Sequence, residues 1–525
     1  MENRRQSASV KRRGRGAPRK TRASADVFRL LDQTLARPRF GFLDDGAIAE
    51  LKKRSLDLLA DYGVVVIHDK AIAALKKAGA KPGGKADRLL LPRELVQAAL
   101  SQAPKEVSLH GRSPGKAVQL PRSDGGFIMR TGTGAHGYVD PETTVYRDLD
   151  LKAVAEIGAI GSGLDQVGFV AHPFVAGVPE ITADIHSFGT MVQHTDKHNW
   201  MQPYGKDNVQ FLMEIAAIAA GGEDAMRAAP TASVITCSFS PLEFKFMDTE
   251  VIIQAGRYGM PIHACSLPSA GGTAPLTSAG MVLMASAEIL AMLTIAHVLA
   301  PGTPVIATPL MFTLDMRTGS ALQSCPESLQ SASMAVQLMK HGFGLPTHTY
   351  GSGSDTPDLD VQSMAERAML AQTIVLSGAD ILGGIGQLEC ATVFSPVQAV
   401  LDNEIGAMLR KFIEPPVVNE DTLNWQEVSN IRTGGHFLDS GHTLDRCRTQ
   451  HQPDVFLRLG RDDYEKSNRR TAFDMARDKA LELIKNAPEN GYLGDDAVRE
   501  IQKVVAAGDK LILDKAAKPG AVDVI

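Results

Sequence analysis

The sequence has few of the features that mark a secreted, membrane-spanning or metal-binding protein. Its five cysteines are scattered over 525 residues without CxxC spacing, so they predict no disulfide framework and no zinc site, and they favour a reducing compartment, the cytoplasm. The longest apolar stretch, residues 281–300, contains Ser286, Glu288 and His297 and therefore predicts a buried helix instead of a membrane span. The sequence also contains no P-loop, no GxGxxG after a strand, no HExxH motif and no lysine at a strand end suited to Schiff-base chemistry.

Charge is distributed unevenly along the chain. The first 22 residues contain nine Lys or Arg and a single acid, Glu2, whereas the remaining residues have an excess of acids. Gly14, Gly16 and Pro18 interrupt this basic segment, so we predict a disordered arm over residues 1–24 and no amphipathic targeting helix. The acidic remainder argues against nucleic acid as a partner, although docking of the arm to an acidic partner is an alternative interpretation.

Between residues 127 and 413, short apolar runs alternate with helical patterns eight times. The runs predict strands at residues 127–131, 168–174, 199–204, 232–239, 262–267, 305–312, 347–350 and 381–385. Alternating strands and helices are typical of βαβ units, and eight of them predict an α/β fold, a closed (β/α)8 TIM barrel. Such barrels carry their chemistry on the loops that follow the strands, so only these loops are candidates for the active site.

Other patterns predict additions on both sides of the barrel, which we place at residues 121–414. A small N-terminal α/β extension is expected at residues 25–120, with helices at 43–62, 72–78 and 92–103 and strands at 63–67 and 105–110. Residues 415–525 predict a helical C-terminal extension that is irregular at first and helical at 470–485 and 495–507. Within the barrel, helices are expected at 151–158, 208–220, 247–258 and 360–376.

Aromatic residues are concentrated at the predicted strand ends. The chain has only two tryptophans, eight tyrosines and 18 phenylalanines. Six of these fall at or just beyond a strand end: Phe174, Tyr204, Phe239, Phe312, Tyr350 and Phe394. Two interpretations remain open. The rings either fill the top layer of the barrel, or they form a cage for a quaternary ammonium group, which is attracted to the negative faces of aromatic rings.

Acidic residues crowd the last three of these loops. The set is Asp315, Asp355, Asp358, Asp360 and Glu389. Asp358 and Asp360 are expected to cap the N-terminus of the helix that begins there. Asp355 and Glu389 lie in loops rich in glycine and serine, where a carboxylate is expected to face a ligand.

Histidines and glycines in the same region allow two further interpretations. His172, His194, His198, His263 and His348 could include metal ligands, although a structural role is the favoured interpretation for each of them. Gly383, Gly384 and Gly386 resemble the phosphate cup of many barrels. No equivalent glycine-rich turn follows the seventh strand, which weakens the case for a phosphate ligand.

Three stretches carry a family resemblance. Gly351-Ser-Gly-Ser-Asp355, Gly383-Gly-Ile-Gly-Gln-Leu-Glu389 and the segment from Gly435-His-Phe-Leu through His442-Thr-Leu to Arg446 resemble the trimethylamine:corrinoid methyltransferase superfamily, over about residues 40–485. The resemblance implies a (β/α)8 barrel that binds a small methylated amine in its mouth. It also implies a cognate corrinoid protein whose Co(I) accepts the methyl group, with no cofactor bound tightly by the chain itself.

One departure from the family pattern bears on the substrate. The trimethylamine enzymes carry pyrrolysine near the loop after the seventh strand, roughly where residues 354–357 stand, and this chain has only standard residues there. A quaternary ammonium releases a neutral amine when it loses a methyl group, so its site needs position and electric field more than a covalent helper. The departure therefore favours the non-pyrrolysine members that demethylate glycine betaine, with trimethylamine, carnitine or proline betaine as alternative substrates.

These considerations give specific roles to specific residues. Phe174, Tyr204, Phe312 and Tyr350 are expected to hold the trimethylammonium group, and Asp355 and Glu389 to supply a negative field as the catalytic pair. Arg317, His263 and His348 are the candidates for binding a substrate carboxylate, and no metal is expected. Two rival functions are a metal-dependent lyase that uses His172 or His263 with Glu389, and a non-catalytic betaine or corrinoid-protein binder. A homo-oligomer is a further expectation, because oligomers are common among such proteins.

Overall fold

A closed parallel barrel forms the centre of the computed structural model, which describes residues 38–84 and 88–517; the predicted basic arm at residues 1–24 lies outside the described residues. We label its strands β1 to β8: Ile128–Thr131, Val167–Ala171, His198–Met201, Ala232–Cys237, Ile262–Ser266, Val305–Pro309, His348–Tyr350 and Ile381–Ile385. The hydrogen-bonded order is β6-β5-β4-β3-β2-β1-β8-β7, and a bridge between Ala307 and Thr347 joins the two ends into a ring. The predicted (β/α)8 barrel is confirmed.

A helix follows each barrel strand. These helices, α1 to α8, are Leu151–Gly163, Ala183–Gln193, Val209–Ala220, Phe246–Tyr258, Ser278–Leu299, Pro326–Gln337, Val361–Ser377 and Pro396–Phe412. Side-chain caps fix several starts: Asp150 accepts from the amide of Ala153 at 2.8 Å, and Asp360 accepts from that of Ser363 at 2.8 Å. Proline occupies the first position of α6 and α8, where its missing N–H has no partner to lose.

Helix α5 has the length and hydropathy of a membrane span, and it is the one helix in the described part of the chain that does. About 72% of its most apolar window is buried inside the protein. It packs against α4 and α6 and against the N-terminal helices Asp45–Asp61 and Arg93–Gln102. The prediction of a buried helix at this position is confirmed.

The N-terminal extension adds a small sheet and a hairpin to the barrel. Its other elements are the helix Asp69–Lys77 and the strands Val64–Val66, Lys81–Pro82 and Arg88–Leu90. Val64–Val66 pairs with Glu243–Phe244 from the loop after β4 and with Arg88–Leu90, which pairs in turn with Lys81–Pro82. A hairpin of Val107–Leu109 and Val118–Leu120 places Val107, Leu109 and Leu120 in one apolar cluster with the barrel-interior residues Ile128 and Phe169. This hairpin fills the N-terminal end, so the C-terminal ends of the strands form the mouth.

Short strands and helices decorate the barrel. Gly137–Val139 and Tyr146–Asp148 form a hairpin after β1 that pairs with Val393–Phe394, itself paired with Gln387–Leu388. Ser269–Ala270, Phe312–Leu314 and Ala321–Leu322 form a three-stranded sheet. Shorter helices are Glu180–Thr182, Glu223–Ala228 and Leu338–Gly342, and the C-terminal extension contains Glu420–Leu423, Trp425–Asn430, Gly441–Arg446, Cys447–Thr449, Arg461–Lys466, Ala472–Lys485 and Asp495–Ala516. Ala472–Lys485 packs on α8 and α1, and Asp495–Ala516 packs on α2 and α3.

Candidate active site in the barrel

A layer of polar side chains crosses the interior of the barrel. It consists of Arg130 from β1, Trp200 from β3, Ser233 from β4, His263 from β5 and His348 from β7, and each is at most 1% exposed. Neighbouring residues in the same strands, such as Met129 and Ala264, belong to the outer core instead. Because side chains alternate between the two faces of a strand, the polar layer points into the barrel.

Four of these residues form one chain of hydrogen bonds. Arg130 Nε donates to His348 Nε2 at 2.8 Å, His348 Nδ1 lies 3.2 Å from His263 Nδ1, and His263 Nε2 lies 3.1 Å from Ser233 Oγ. A guanidinium can only donate, so His348 Nε2 must accept, and we assign the proton of His348 to Nδ1 and that of His263 to Nε2. Burial, and after it the charge of Arg130, lower the pKa of both histidines well below the ordinary value, so both rings are neutral.

Arg130 is held tightly but not completely paired. Its Nη1 donates to the carbonyl of Thr131 at 2.6 Å, and its guanidinium carbon lies 4.2 Å from the centre of the Trp200 ring. Burial lowers the pKa of Arg130 to about 10, which leaves the group charged. Arg130 Nη2 and Trp200 Nε1 are both buried and have no hydrogen-bond partner among the described residues. We expect these two buried donors to bind a hydrogen-bond acceptor, because native proteins rarely leave buried donors without a partner.

Glycine in β8 creates the space for this guanidinium. A Cβ atom on Gly383 would lie 2.8 Å from Arg130 Nη2 and 2.9 Å from His348 Nε2. At Gly384, where φ is +99°, a Cβ atom would lie 2.0 Å from the carbonyl oxygen of Ser352. These contacts account for the adjacent glycines that suggested a phosphate cup, and they do so without a phosphate.

Further unpaired polar atoms lie in the loops at the mouth. Gln387 Oε1, both amide atoms of Gln323 and Nδ1 of His172 are buried without partners within the described ranges. His172 Nε2 accepts the amide proton of Gln202 at 2.9 Å, and burial lowers the pKa of His172 to about 4. The ring is therefore neutral with its proton on Nδ1, so it presents a donor. These atoms follow β8, β6 and β2, which concentrates unmet hydrogen-bonding capacity at the C-terminal side of the barrel.

The predicted aromatic set divides into two pairs. Phe174 and Tyr204 stack with ring centres 4.5 Å apart, and Phe312 and Tyr350 meet at 5.8 Å with their planes at 70°. The ring of Tyr350 also lies 5.8 Å from the guanidinium carbon of Arg130. Burial raises the pKa of Tyr350 to about 12, although the charge of Arg130 opposes the shift. The second pair is therefore the one that adjoins the polar layer.

The other two aromatics lie apart from these pairs. Phe239 is exposed, and Lys245 Nζ lies 4.2 Å from the centre of its ring. Phe394 is fully buried and stacks on Tyr138 at 6.5 Å, in the sheet beside the mouth. Position at a strand end alone did not separate them from the four residues that we had assigned to the substrate.

The two predicted catalytic carboxylates occupy different settings. Asp355 is half-buried and accepts from the amides of Gln323 at 2.9 Å and Ser324 at 3.0 Å, so it ties the loop after β7 to the loop after β6. Burial raises the pKa of Asp355, while these two amides oppose the rise. Glu389 is exposed at the tip of the turn after β8, with φ of +47°. Backbone hydrogen bonds join the two loops that carry these carboxylates, since the amide of Glu389 donates to the carbonyl oxygen of Thr356 at 2.8 Å and that of Cys390 to the carbonyl oxygen of Ser354 at 2.9 Å. The catalytic roles of Asp355 and Glu389 stay predictions.

The three residues predicted to bind a substrate carboxylate do not all lie together. His263 and His348 lie together in the polar layer, whereas the side chain of Arg317 is 91% exposed in a turn beside Asp315. Sequence reasoning missed Arg130, the arginine that does contact His348. The signal was present as a single charged residue in the otherwise apolar run Phe127-Ile-Met-Arg-Thr131.

A metal centre receives no support from the described residues. They contain no group of three His, Cys, Asp or Glu side chains placed to hold an ion. His263 bonds to His348 and Ser233 inside the barrel, while Glu389 lies exposed outside it. The arrangement required by the lyase alternative is therefore not formed by His263 and Glu389.

Comparison with known proteins adds independent information. The family model described as trimethylamine methyltransferase (MTTB) matches residues 11–510. The chain is 28% identical to the trimethylamine methyltransferase MttB of Desulfitobacterium hafniense over 447 residues, which cover 85% of this chain and 89% of that one. It is 26% identical to the glycine betaine methyltransferase of the same species over 408 residues, covering 77% and 84%. The solved monomethylamine methyltransferase MtmB of Methanosarcina barkeri covers 85% of this chain at 13% identity, with a TM-score of 0.49.

Proposed function

This chain belongs to the trimethylamine methyltransferase (MTTB) family, and we propose that it transfers a methyl group from a quaternary amine of the glycine betaine kind to Co(I) of a separate corrinoid protein. At the family level it is a methylated-amine methyltransferase. The quaternary amine and the Co(I) acceptor are proposed beyond this family-level activity. We also propose that the reaction takes place in the cytoplasm, in keeping with five free cysteines.

The proposed methyl transfer needs few catalytic groups from the protein. The Co(I) electron pair forms the new bond to the methyl carbon, and the carbon–nitrogen pair returns to nitrogen, which leaves as a neutral tertiary amine. No proton moves, so neither a general acid nor a general base is needed. The two histidines nearest Arg130 are neutral and internally hydrogen-bonded, as such a site allows. What the site must supply is orientation and a surface for the cation.

The unpaired Nη2 of Arg130 is the observation that carries the choice of a betaine. A buried guanidinium with a free donor is suited to a carboxylate, and Trp200 Nε1 offers a second donor beside it. The ring of Tyr350 adjoins this position, and Phe312 packs against Tyr350; the two rings would hold the trimethylammonium group of the same molecule. With its carboxylate toward Arg130, the substrate would direct its methyl groups to the mouth, where an acceptor protein can approach.

Arg130 variants test the carboxylate site. We expect Arg130→Gln to weaken glycine betaine binding about tenfold to a hundredfold, since a hydrogen bond to a charged group contributes about 1.5–3 kcal/mol. Arg130→Lys keeps the charge but not the planar fork, and we expect it to restore only part of the affinity. Calorimetric titration with glycine betaine and with tetramethylammonium, which lacks a carboxylate, separates the two ends of the substrate. Equal losses for both ligands would contradict the assignment.

The reaction itself is tested with reduced cobalamin as acceptor. The purified protein is mixed with Co(I) cobalamin and, in separate samples, with glycine betaine, proline betaine, carnitine or trimethylamine. Conversion of the Co(I) spectrum to that of methyl-Co(III) with a quaternary amine and not with trimethylamine is the expected result. Binding of a betaine without conversion would favour the alternative of a non-catalytic binder.

A further inference from the structure

Residues 416–450, which we call the arm from here on, are distinct from the basic segment at residues 1–24. They leave the C-terminal extension as a long loop that contributes nothing to the core. The chain leaves α8 after Phe412 and returns at residues 451–456, where the amides of Asp454 and Val455 donate to Glu404 of α8 at 2.8 and 3.1 Å. No residue from 416 to 450 is buried. The arm nevertheless exposes nine large apolar side chains: Val417, Val418, Leu423, Trp425, Val428, Ile431, Phe437, Leu438 and Leu444.

The arm has a defined shape in spite of this exposure. Asn419 and Thr422 cap its first helix reciprocally, and Ser440 caps its last α-helix through the amide of Thr443. Arg446 pairs with the carboxylate of Asp421, and His442 Nε2 lies 3.0 Å from the carbonyl oxygen of Asp421. Helices this short are not stable in water without packing partners. A segment that is shaped by specific bonds but has no core is therefore built to pack against another surface.

A second apolar surface lies beside the root of the arm. Met408 and Phe412 occupy the last turns of α8 and are 44% and 55% exposed, although the rest of this helix is largely buried. Each chain therefore presents both an apolar arm and an apolar helix face. Two copies related by a two-fold axis can cover both at once, with the arm of each lying on α8 of the other.

The position of the arm distinguishes a second copy from other occupants. Helix α8 begins near the mouth and ends at the opposite, N-terminal end of the barrel, so the arm is rooted on the side away from the mouth. A corrinoid protein must bring its cobalt to the mouth. One side of a standard interface needs about 20–30 residues and about 800 Å². An arm of 35 residues with no buried side chain is large enough to supply it.

We propose that the arm is the dimerisation element of this protein and packs on α8 of a second copy. The arm and the exposed face of α8 contain no residue of the barrel interior, so this interface is independent of the proposed reaction. Light scattering coupled to size exclusion tests it on the full chain over a wide range of protein concentration. We expect a dimer for the natural sequence and a monomer for the double variant Trp425→Ser, Leu438→Ser. Since both residues are exposed in one chain, the variant monomer should keep the far-ultraviolet circular dichroism of the parent.

A matched control and a second measurement keep the proposal open to refutation. Leu511→Ser removes an exposed apolar residue from the last helix, Asp495–Ala516, and we expect it to leave the dimer intact. Hydrogen exchange should show the arm amides protected in the dimer and exposed in the double variant. A natural protein that is monomeric at every concentration would overturn the proposal. So would a dimer that survives the arm substitutions, or an arm that gains protection only when a corrinoid protein is added.

Discussion

Arg130 Nε donates a 2.8 Å hydrogen bond to Nε2 of His348, although strand β8 lies between the strands that carry them. The bond is possible because Gly383 of β8 has no side chain at the point where the two groups meet. His348 in turn contacts His263, which contacts Ser233, so the acceptor of the arginine is itself held in place by residues of β5 and β4. A buried charge held in one orientation before substrate arrives is the arrangement that recognition of a carboxylate requires.

Gly383→Ala tests this space directly. The new methyl group would stand 2.8 Å from Arg130 Nη2, so the guanidinium must shift or the strand must move. We expect a loss of about 1–3 kcal/mol in the free energy of unfolding, as for other overpacked cores, together with weaker glycine betaine binding. Gly460→Ala is the matched control, because a Cβ atom there meets nothing within 4 Å. Full affinity in Gly383→Ala would mean that the position of Arg130 does not matter.

The neutral histidines predict how stability changes with pH. His263 has a folded-state pKa well below its unfolded value of about 6.5, so below that pH the unfolded chain binds a proton that the folded protein excludes. Stability is therefore lost as pH falls through about 6.5 and below, with a contribution from this residue of up to about 1.4 kcal/mol per pH unit. Denaturant titrations between pH 7 and pH 5 should give a shallower decline in His263→Gln than in the parent. Parallel declines would contradict the assignment of a neutral ring.

Asp355→Asn separates a positioning role from a direct one. Both carboxylate oxygens accept backbone amides, so an amide side chain loses one acceptor and sets a donor against the N–H of Gln323 or Ser324. We expect the unfolding free energy to fall by about 1–3 kcal/mol and KM to rise, with kcat changed less. A large fall in kcat at unchanged stability would instead support the catalytic role predicted from the sequence.

Phe312→Leu tests the aromatic pair beside Arg130. Leucine retains apolar volume but has no aromatic face, and a single cation–π contact contributes about 0.5–2 kcal/mol. Glycine betaine should therefore bind about two- to thirtyfold more weakly. Phe239→Leu serves as the control, since Phe239 is exposed and lies outside both pairs. If the two variants bind equally well, the Phe312–Tyr350 pair does not hold the cation.

The fold could be predicted because the spacing of apolar residues along the chain indicates its main strands and helices. The strand near residues 381–385 matches the structure at both ends. The runs at 232–239 and 305–312 were predicted too long, since β4 ends at Cys237 and β6 at Pro309. In the second case apolar residues continue through Leu310 and Met311 into the separate strand Phe312–Leu314. The hairpin of Gly137–Val139 and Tyr146–Asp148 was missed, since strands of three residues leave little periodic signal.

The site was harder to predict from the sequence than the fold. Strand-end position brought Tyr350 and Phe312 into the candidate set together with Phe394, which packs outside the mouth. Arg130 was overlooked because the sequence does not show whether a polar residue in an apolar run faces the barrel interior. That orientation is fixed only when the barrel closes. The pairing of Asp355 with the amides of Gln323 and Ser324 depends on two loops meeting, and spacing along the chain does not encode that contact.

The most direct test of the account measures both products of one reaction. Glycine betaine labelled with ¹³C in its methyl groups is incubated with the protein and a stoichiometric amount of Co(I) cobalamin, and the mixture is followed by nuclear magnetic resonance. We expect dimethylglycine and ¹³C-methylcobalamin in equal amounts, and much less of both with Arg130→Gln. Absence of both products from the natural protein, with glycine betaine bound and intact, would contradict it.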